Sequence, residues 1–238
     1  MIIKRKIESE LLRWKISGNQ KPVILRGARQ VGKTFVVNQF GANFDYFIDI
    51  NLERPRERNL FIHFNTGQEL VERILLYKGV HLKNDYRSTL LFIDEIQNSA
   101  QAIKALRYLH EDVKNLSIIA AGSLLEVFSK QEGFSFPVGR VKNLFLYPVN
   151  FLEYLETANP PLATKLLNLD IINETGFHDV LIGQFNEYAF LGGMPEALSV
   201  YLESGSYSEL RDIYDAVYTG YLEDVEKYSN LAKAKYLI

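Results

Sequence analysis

A chain of 238 residues, 47% of them hydrophobic, has enough apolar side chain to bury a substantial core, which excludes disorder as its dominant state. With 27 basic residues against 29 acidic ones the net charge is −2, so there is no global electrostatic footprint for nucleic acid. The absence of cysteine removes disulfides, thiol nucleophiles and cysteine-ligated zinc, and His63, His81, His110 and His178 form no metal-spaced pair.

The amino terminus, MIIKRKIESELLRWK, turns charged almost at once and never develops the apolar core of a signal peptide. No later run approaches the ~20 apolar residues of a membrane span, so a cytoplasmic protein with no membrane attachment is expected. Ile7, Leu11, Leu12 and Trp14 recur close to one helical stripe and predict a leading helix over Lys4–Ile16. Turn chemistry follows to Pro22, then Val23–Leu25 reads as a short buried strand running into Gly27, and Lys33–Phe40 as a helix stopped by Gly41.

Phe44–Ile50 reads as a second strand, followed by a helical stretch with Gly67 as a break before Leu70–Tyr77. Thr89–Ile93 is an apolar run too short for a helix, ending on Asp94-Glu95. A helix over Ala100–Val113 and strands over Leu116–Ala121 and Val141–Leu146 complete the alternation. Near-continuously apolar strands alternating with helices predict an α/β fold with a parallel sheet covered on both faces, which binds its ligand at the carboxyl ends of the strands. Beyond Tyr147-Pro148 helical signals dominate, through Phe151–Glu156, Phe177–Ala189, Met194–Tyr201 and Ser208–Leu231. Asn159-Pro160-Pro161 and Gly192-Gly193 read as punctuation between them. The expected division is a core over residues 1–148 and a helical, lid-like region over 149–238.

Gly27-Ala28-Arg29-Gln30-Val31-Gly32-Lys33-Thr34 satisfies the pattern G-x-x-x-x-G-K-[ST] in full. The glycines let the backbone curl so that successive N–H groups face phosphates, at the amino terminus of a helix whose partial charge favours anions. Lys33 would then reach the β- and γ-phosphates of a nucleoside triphosphate, and the Thr34 hydroxyl would hold Mg²⁺. Leu90–Ile93 delivers Asp94 and Glu95 at a strand end, Asp94 to support Mg²⁺ and Glu95 to orient or deprotonate the attacking water. Ser123, at the end of the next strand, reads either as a contact to the γ-phosphate or water or as an ordinary helix cap. Arg140 reads either as an arginine supplied to a neighbouring subunit's ATP or as a surface residue. Arg29 and Gln30 read as structural or subunit-facing.

The phosphate loop, Leu91-Phe92-Ile93-Asp94-Glu95-Ile96-Gln97, Gly122-Ser123, Gly139-Arg140, Tyr147-Pro148 with Phe151-Leu152-Glu153, and Leu191-Gly192-Gly193-Met194-Pro195-Glu196 occur in one order along the chain. Together they resemble a family of largely uncharacterised prokaryotic P-loop ATPases of the AAA superfamily. The resemblance implies five parallel strands between helices, a following helical region, ATP as nucleotide, and a further carboxyl-terminal domain beyond the point where this chain stops. Ser123 stands where such proteins often carry a sensor asparagine, and serine is the shorter reach.

Three activities fit these residues. ATP hydrolysis coupled to conformational change leads, a nucleotide-binding switch or scaffold with negligible turnover is the alternative, and a P-loop kinase comes last because Glu95 suits water activation. A homo-oligomer and a protein partner for the helical region are expected. Nucleic acid enters only through the basic Lys4-Arg5-Lys6, Arg13, Lys15 and Arg54, Arg56, Arg58 clusters, a pattern more usual for a solvated helix face.

Overall fold

The computed structural model describes residues 1–17, 20–82, 85–123, 139–168 and 176–229, with side chains in the last segment described as far as 223. Residues 18 and 19 of the predicted turn and 230 and 231 of the last predicted helix lie outside the described residues. Two units emerge. One holds residues Ile7–Ala28 and Lys33–Leu146, and the other Met1–Lys6, Arg29–Gly32 and Tyr147–Ile238.

The first unit is built on β1 (Val23–Arg26), β2 (Tyr46–Asn51), β3 (Thr89–Asp94), β4 (Ser117–Gly122) and β5 (Lys142–Phe145), in the order β2-β3-β4-β1-β5. All neighbours are parallel. The expected α/β architecture, a five-stranded parallel sheet between helices, is the one observed. β3 and β4 are buried along their whole length because both faces are covered. On one face Ile48, Ile50, Leu91, Ile93, Ile118 and Ala120 meet Leu70 and Ile74 of α4 (Gly67–Lys78) and Ile103, Leu106 and Leu109 of α5 (Ala100–Asp112). α1 (Ile7–Ile16) and α2 (Lys33–Gly41) bury Leu11, Trp14, Val36, Val37 and Phe40, with Phe40 edge-on to Phe44. The short α3 (Pro55–Asn59) follows β2.

Two local readings change. The leading helix begins at Ile7 rather than Lys4, and Arg5, counted above with the exposed basic cluster, is buried. Gly67 opens α4 instead of interrupting it. Thr66 caps that helix by accepting from the Glu69 amide, and a β-carbon at Gly67 would overlap the Tyr108 carbonyl of α5. The glycine is there to let two helices approach.

The second unit contains α6 (Phe151–Ala158), α7 (Pro160–Asn168), α8 (Phe177–Leu191), α9 (Pro195–Ser204) and α10 (Leu210–Ser229). The sequence reading missed α7, taking Asn159-Pro160-Pro161 for a turn. Asn159 in fact accepts from the Leu162 amide through its side chain and from the Ala163 amide through its carbonyl, and prolines fit a first helical turn because its N–H groups have no intrahelical partner. Gly192-Gly193 is likewise more than punctuation. Gly193 lies so close to Val149 that an added β-carbon would stand 2.7 Å from the Val149 carbonyl oxygen, while the Val149 amide donates to the Gly193 carbonyl at 2.8 Å. Val149, Tyr154, Leu191, Ala197, Leu198 and Leu210 form the core there. Among the described residues no helix is long and apolar enough to cross a membrane.

Candidate functional site

β1 ends at Arg26 and α2 begins at Lys33, so the phosphate-loop residues occupy the strand-to-helix turn that the pattern requires. Gln30 has φ 60° and Gly32 φ 89°, two left-handed residues within three. That alternation turns successive N–H groups to one side of the backbone and makes an anion-binding concavity. The base of the loop, Gly27, Ala28, Lys33 and Thr34, goes with the sheet unit, and its crest, Arg29–Gly32, goes with the helical unit.

At the base, the Lys33 ammonium is folded back on the loop, donating to the Gly27 carbonyl at 3.0 Å and the Ala28 carbonyl at 2.6 Å, and is nearly buried. The Thr34 hydroxyl donates to Asp94 Oδ2 at 2.8 Å. Asp94 reaches it because β3 residues 90, 92 and 94 point to one face of the pleat, and its Oδ1 accepts from the Glu95 amide at 3.0 Å. β4 lies between β1 and β3, so Ser123, buried just past the β4 end, emerges between the phosphate loop and the acidic pair. The register Arg26↔Gly122 sets Ser123 level with Gly27.

Both acids are held above the usual carboxylate range. Burial is the main cause for Asp94, opposed by the Thr34 and Glu95 hydrogen bonds and by Lys33. Burial also dominates for Glu95, opposed by the bond from Gln97 and reinforced by the charges of Asp94 and Glu53. Glu95 itself sits in the left-handed region at φ 52°, a conformation uncommon for a residue with a β-carbon.

The sequence reading gave no role to two residues at this end of the sheet. Gln97, on the short 3₁₀ turn Ile96–Asn98, donates its amide to Glu95 Oε2 and fixes that carboxylate. Glu53 adds negative charge toward the pair, its segment fastened by the Leu52 amide donating to the Asp94 carbonyl at 3.1 Å. The signals were present, a glutamine two residues after Glu95 and an acid just past β2, but neither spacing says that the strand ends meet.

Arg140 stands apart. It precedes β5, hence lies at the amino ends of the parallel strands, and pairs with Glu111 at 2.8 Å while about half exposed. Within its own chain it is at the far end of the sheet from Lys33 and Asp94. A cavity of about 380 Å³ on that far side is lined by Lys15, His110 and Lys114, and Lys15, in the last turn of α1, offsets the carbonyl end of that helix.

A parallel sheet with this loop between β1 and α2 defines a P-loop nucleotide-binding domain. A family model described as an AAA domain matches residues 19–155, and the chain belongs to that family. Among solved structures it is similar to the Walker-type ATPase PABY2304 of Pyrococcus abyssi, at 20% identity and a TM-score of 0.57, covering 96% of this chain and 77% of that one. A signal transduction ATPase with numerous domains and a tetratricopeptide repeat sensor, from Pyrococcus horikoshii, aligns at 16% identity and a TM-score of 0.48, over 92% of this chain and 32% of that one. No curated protein matches the chain.

Proposed function

We propose that this protein binds ATP with Mg²⁺ and hydrolyses it, and that the helical region over residues 149–238 responds to the cycle and carries the surface for a protein partner. The observation carrying the proposal is the Thr34–Asp94 hydrogen bond of 2.8 Å, which sets a hydroxyl and a carboxylate beside the phosphate loop with Glu95 adjacent. These hard oxygen donors suit Mg²⁺, which tolerates few protein ligands and keeps its waters. Thr34 would hold the ion, with Asp94 supporting its waters; when bound it would neutralise charge on the phosphates.

The chain's own contribution follows from the positions of the charges. Lys33, now satisfied by two loop carbonyls, exchanges them for the β- and γ-phosphate oxygens, and the loop N–H groups take the rest. Glu95 is fixed by Gln97 and made more basic by burial, so it is a carboxylate suited to accept a proton from a positioned water. Ser123 would touch the γ-phosphate or that water. A nucleotide switch with little turnover uses the same binding residues without Glu95.

Steady-state phosphate release with and without Mg²⁺, and with candidate acceptor alcohols and acids, tests the assignment. Release that requires Mg²⁺ and is abolished together with nucleotide binding in a folded Lys33→Ala variant is expected. Unchanged ATP affinity in that variant would overturn the phosphate-loop assignment, and tight binding without release would favour the switch.

A further inference from the structure

The crest of the phosphate loop is held from outside the loop by a residue of the amino-terminal segment. Arg5 is 4% exposed and Glu153, its partner, 3%. The Arg5 Nε lies 3.3 Å from Glu153 Oε2, Nη1 donates to the Val31 carbonyl at 3.0 Å, and Nη2 donates to the Tyr147 carbonyl at 2.6 Å. Glu153 is committed in turn. Its Oε1 accepts from the Lys6 amide at 2.7 Å, and its Oε2 accepts from the Asn150 amide at 3.0 Å within the capping box of α6.

A buried guanidinium that reaches three acceptors is costly unless each of them is placed for it. The planar fork explains why arginine stands here, since one lysine nitrogen could not span a loop carbonyl, a second carbonyl and a carboxylate at once. The Val31 carbonyl is the informative acceptor. Val31 lies between the two left-handed residues Gln30 and Gly32, where each peptide's orientation decides which groups face an anion. Drawing that carbonyl toward Arg5 keeps its oxygen from turning back toward phosphate. Gly32 reports the same packing, for a β-carbon there would stand 3.7 Å from Pro195 Cγ and 3.9 Å from Arg5 Nη1. These atoms all belong to the helical unit together with the crest.

We propose that Arg5 is a positioning residue for nucleotide binding. Through the Val31 carbonyl it pre-sets the loop crest, and through Glu153 it ties that crest to the first helix of the helical unit. The inference rests on the phosphate-loop reading above, and it assigns Arg5 to the nucleotide site rather than to a basic surface for nucleic acid.

Arg5→Lys keeps a cation beside Glu153 and loses the fork. For this variant the KM for ATP and the Kd of a fluorescent ATP analogue should rise about tenfold, the order expected for one lost hydrogen bond from a charged donor, with kcat within about threefold of the parent. A merely structural role would reduce the folded fraction and so lower the apparent kcat at unchanged KM; that pattern would overturn the proposal. Hydrogen exchange on the unaltered protein gives a readout that does not depend on the variant folding. Adding MgATP should slow exchange at the Lys6 amide together with the loop. Protection confined to the loop would overturn the role of Arg5, whereas no protection anywhere, with Lys33→Ala behaving like the parent, would overturn the nucleotide reading beneath it.

Discussion

Replacing Glu95 by glutamine separates binding from chemistry. The amide matches the carboxylate in shape and can still accept from Gln97, so the left-handed turn at residue 95 and the neighbouring 3₁₀ turn should persist. Only the base is lost. General-base assistance contributes about 10²–10⁴-fold, which at about 1.36 kcal/mol per decade is about 2.7–5.4 kcal/mol of transition-state stabilisation. Single-turnover hydrolysis should therefore fall by that factor while the Kd for MgATP stays within a few fold. Stability should move the other way. The folded pKa of Glu95 lies above its unfolded value, so the protein loses stability as pH rises through the folded pKa and carries that cost at neutral pH. The variant has no such group. Chemical denaturation at pH 8 should find it at least as stable as the parent, with the gap closing as pH drops toward the ordinary carboxylate range. Hydrolysis at the parent rate would refute the reasoning and leave Glu95 as a strand-end acid.

Asp94→Asn should raise the Mg²⁺ concentration needed for half-maximal turnover, measured by titrating the metal at fixed ATP, because the remaining amide supports the ion's waters less well than a charge. Arg140 is too far along the sheet to act in its own chain, so any contribution comes in trans. Arg140→Ala should keep ATP affinity, lose turnover, and regain part of it when mixed with Lys33→Ala; concentration-independent turnover with a fully active variant would reduce Arg140 to the partner of Glu111. Gly67→Ala should cost about 1–3 kcal/mol and several degrees of Tm, since the new methyl meets the Tyr108 backbone rather than a side chain that could swing away. His110 is held below its ordinary pKa, first by burial and then by Lys21 and Arg140. The unfolded chain therefore takes up that proton first, and stability should fall as pH drops through about 6.5, a slope that His110→Gln should reduce in urea titrations at pH 7.5 and 5.5.

The sequence by itself determined the phosphate loop, the strand carrying Asp94 and Glu95, and the α/β class. Each rests on local chemistry: glycines for a tight turn, a lysine and a threonine at a helix start, and apolar runs too short for anything but buried strands. Local rules also misread Asn159-Pro160-Pro161 and Gly67. Proline and glycine break a helix in its interior and are admitted in its first turn, and which position applies depends on where the helix starts. Only the tertiary structure decided what meets at the strand ends. The strand order places Ser123 between loop and acids, and no spacing along the chain encodes that order; Arg140, which precedes β5, falls at the opposite end because β5 runs parallel to β1. It also decided that Arg5, a basic residue among basic residues in the sequence, is buried against Glu153 and the Val31 carbonyl. Those partners lie 148 and 26 positions away, and a contact between residues so separated is fixed by packing of the folded chain rather than by local propensity.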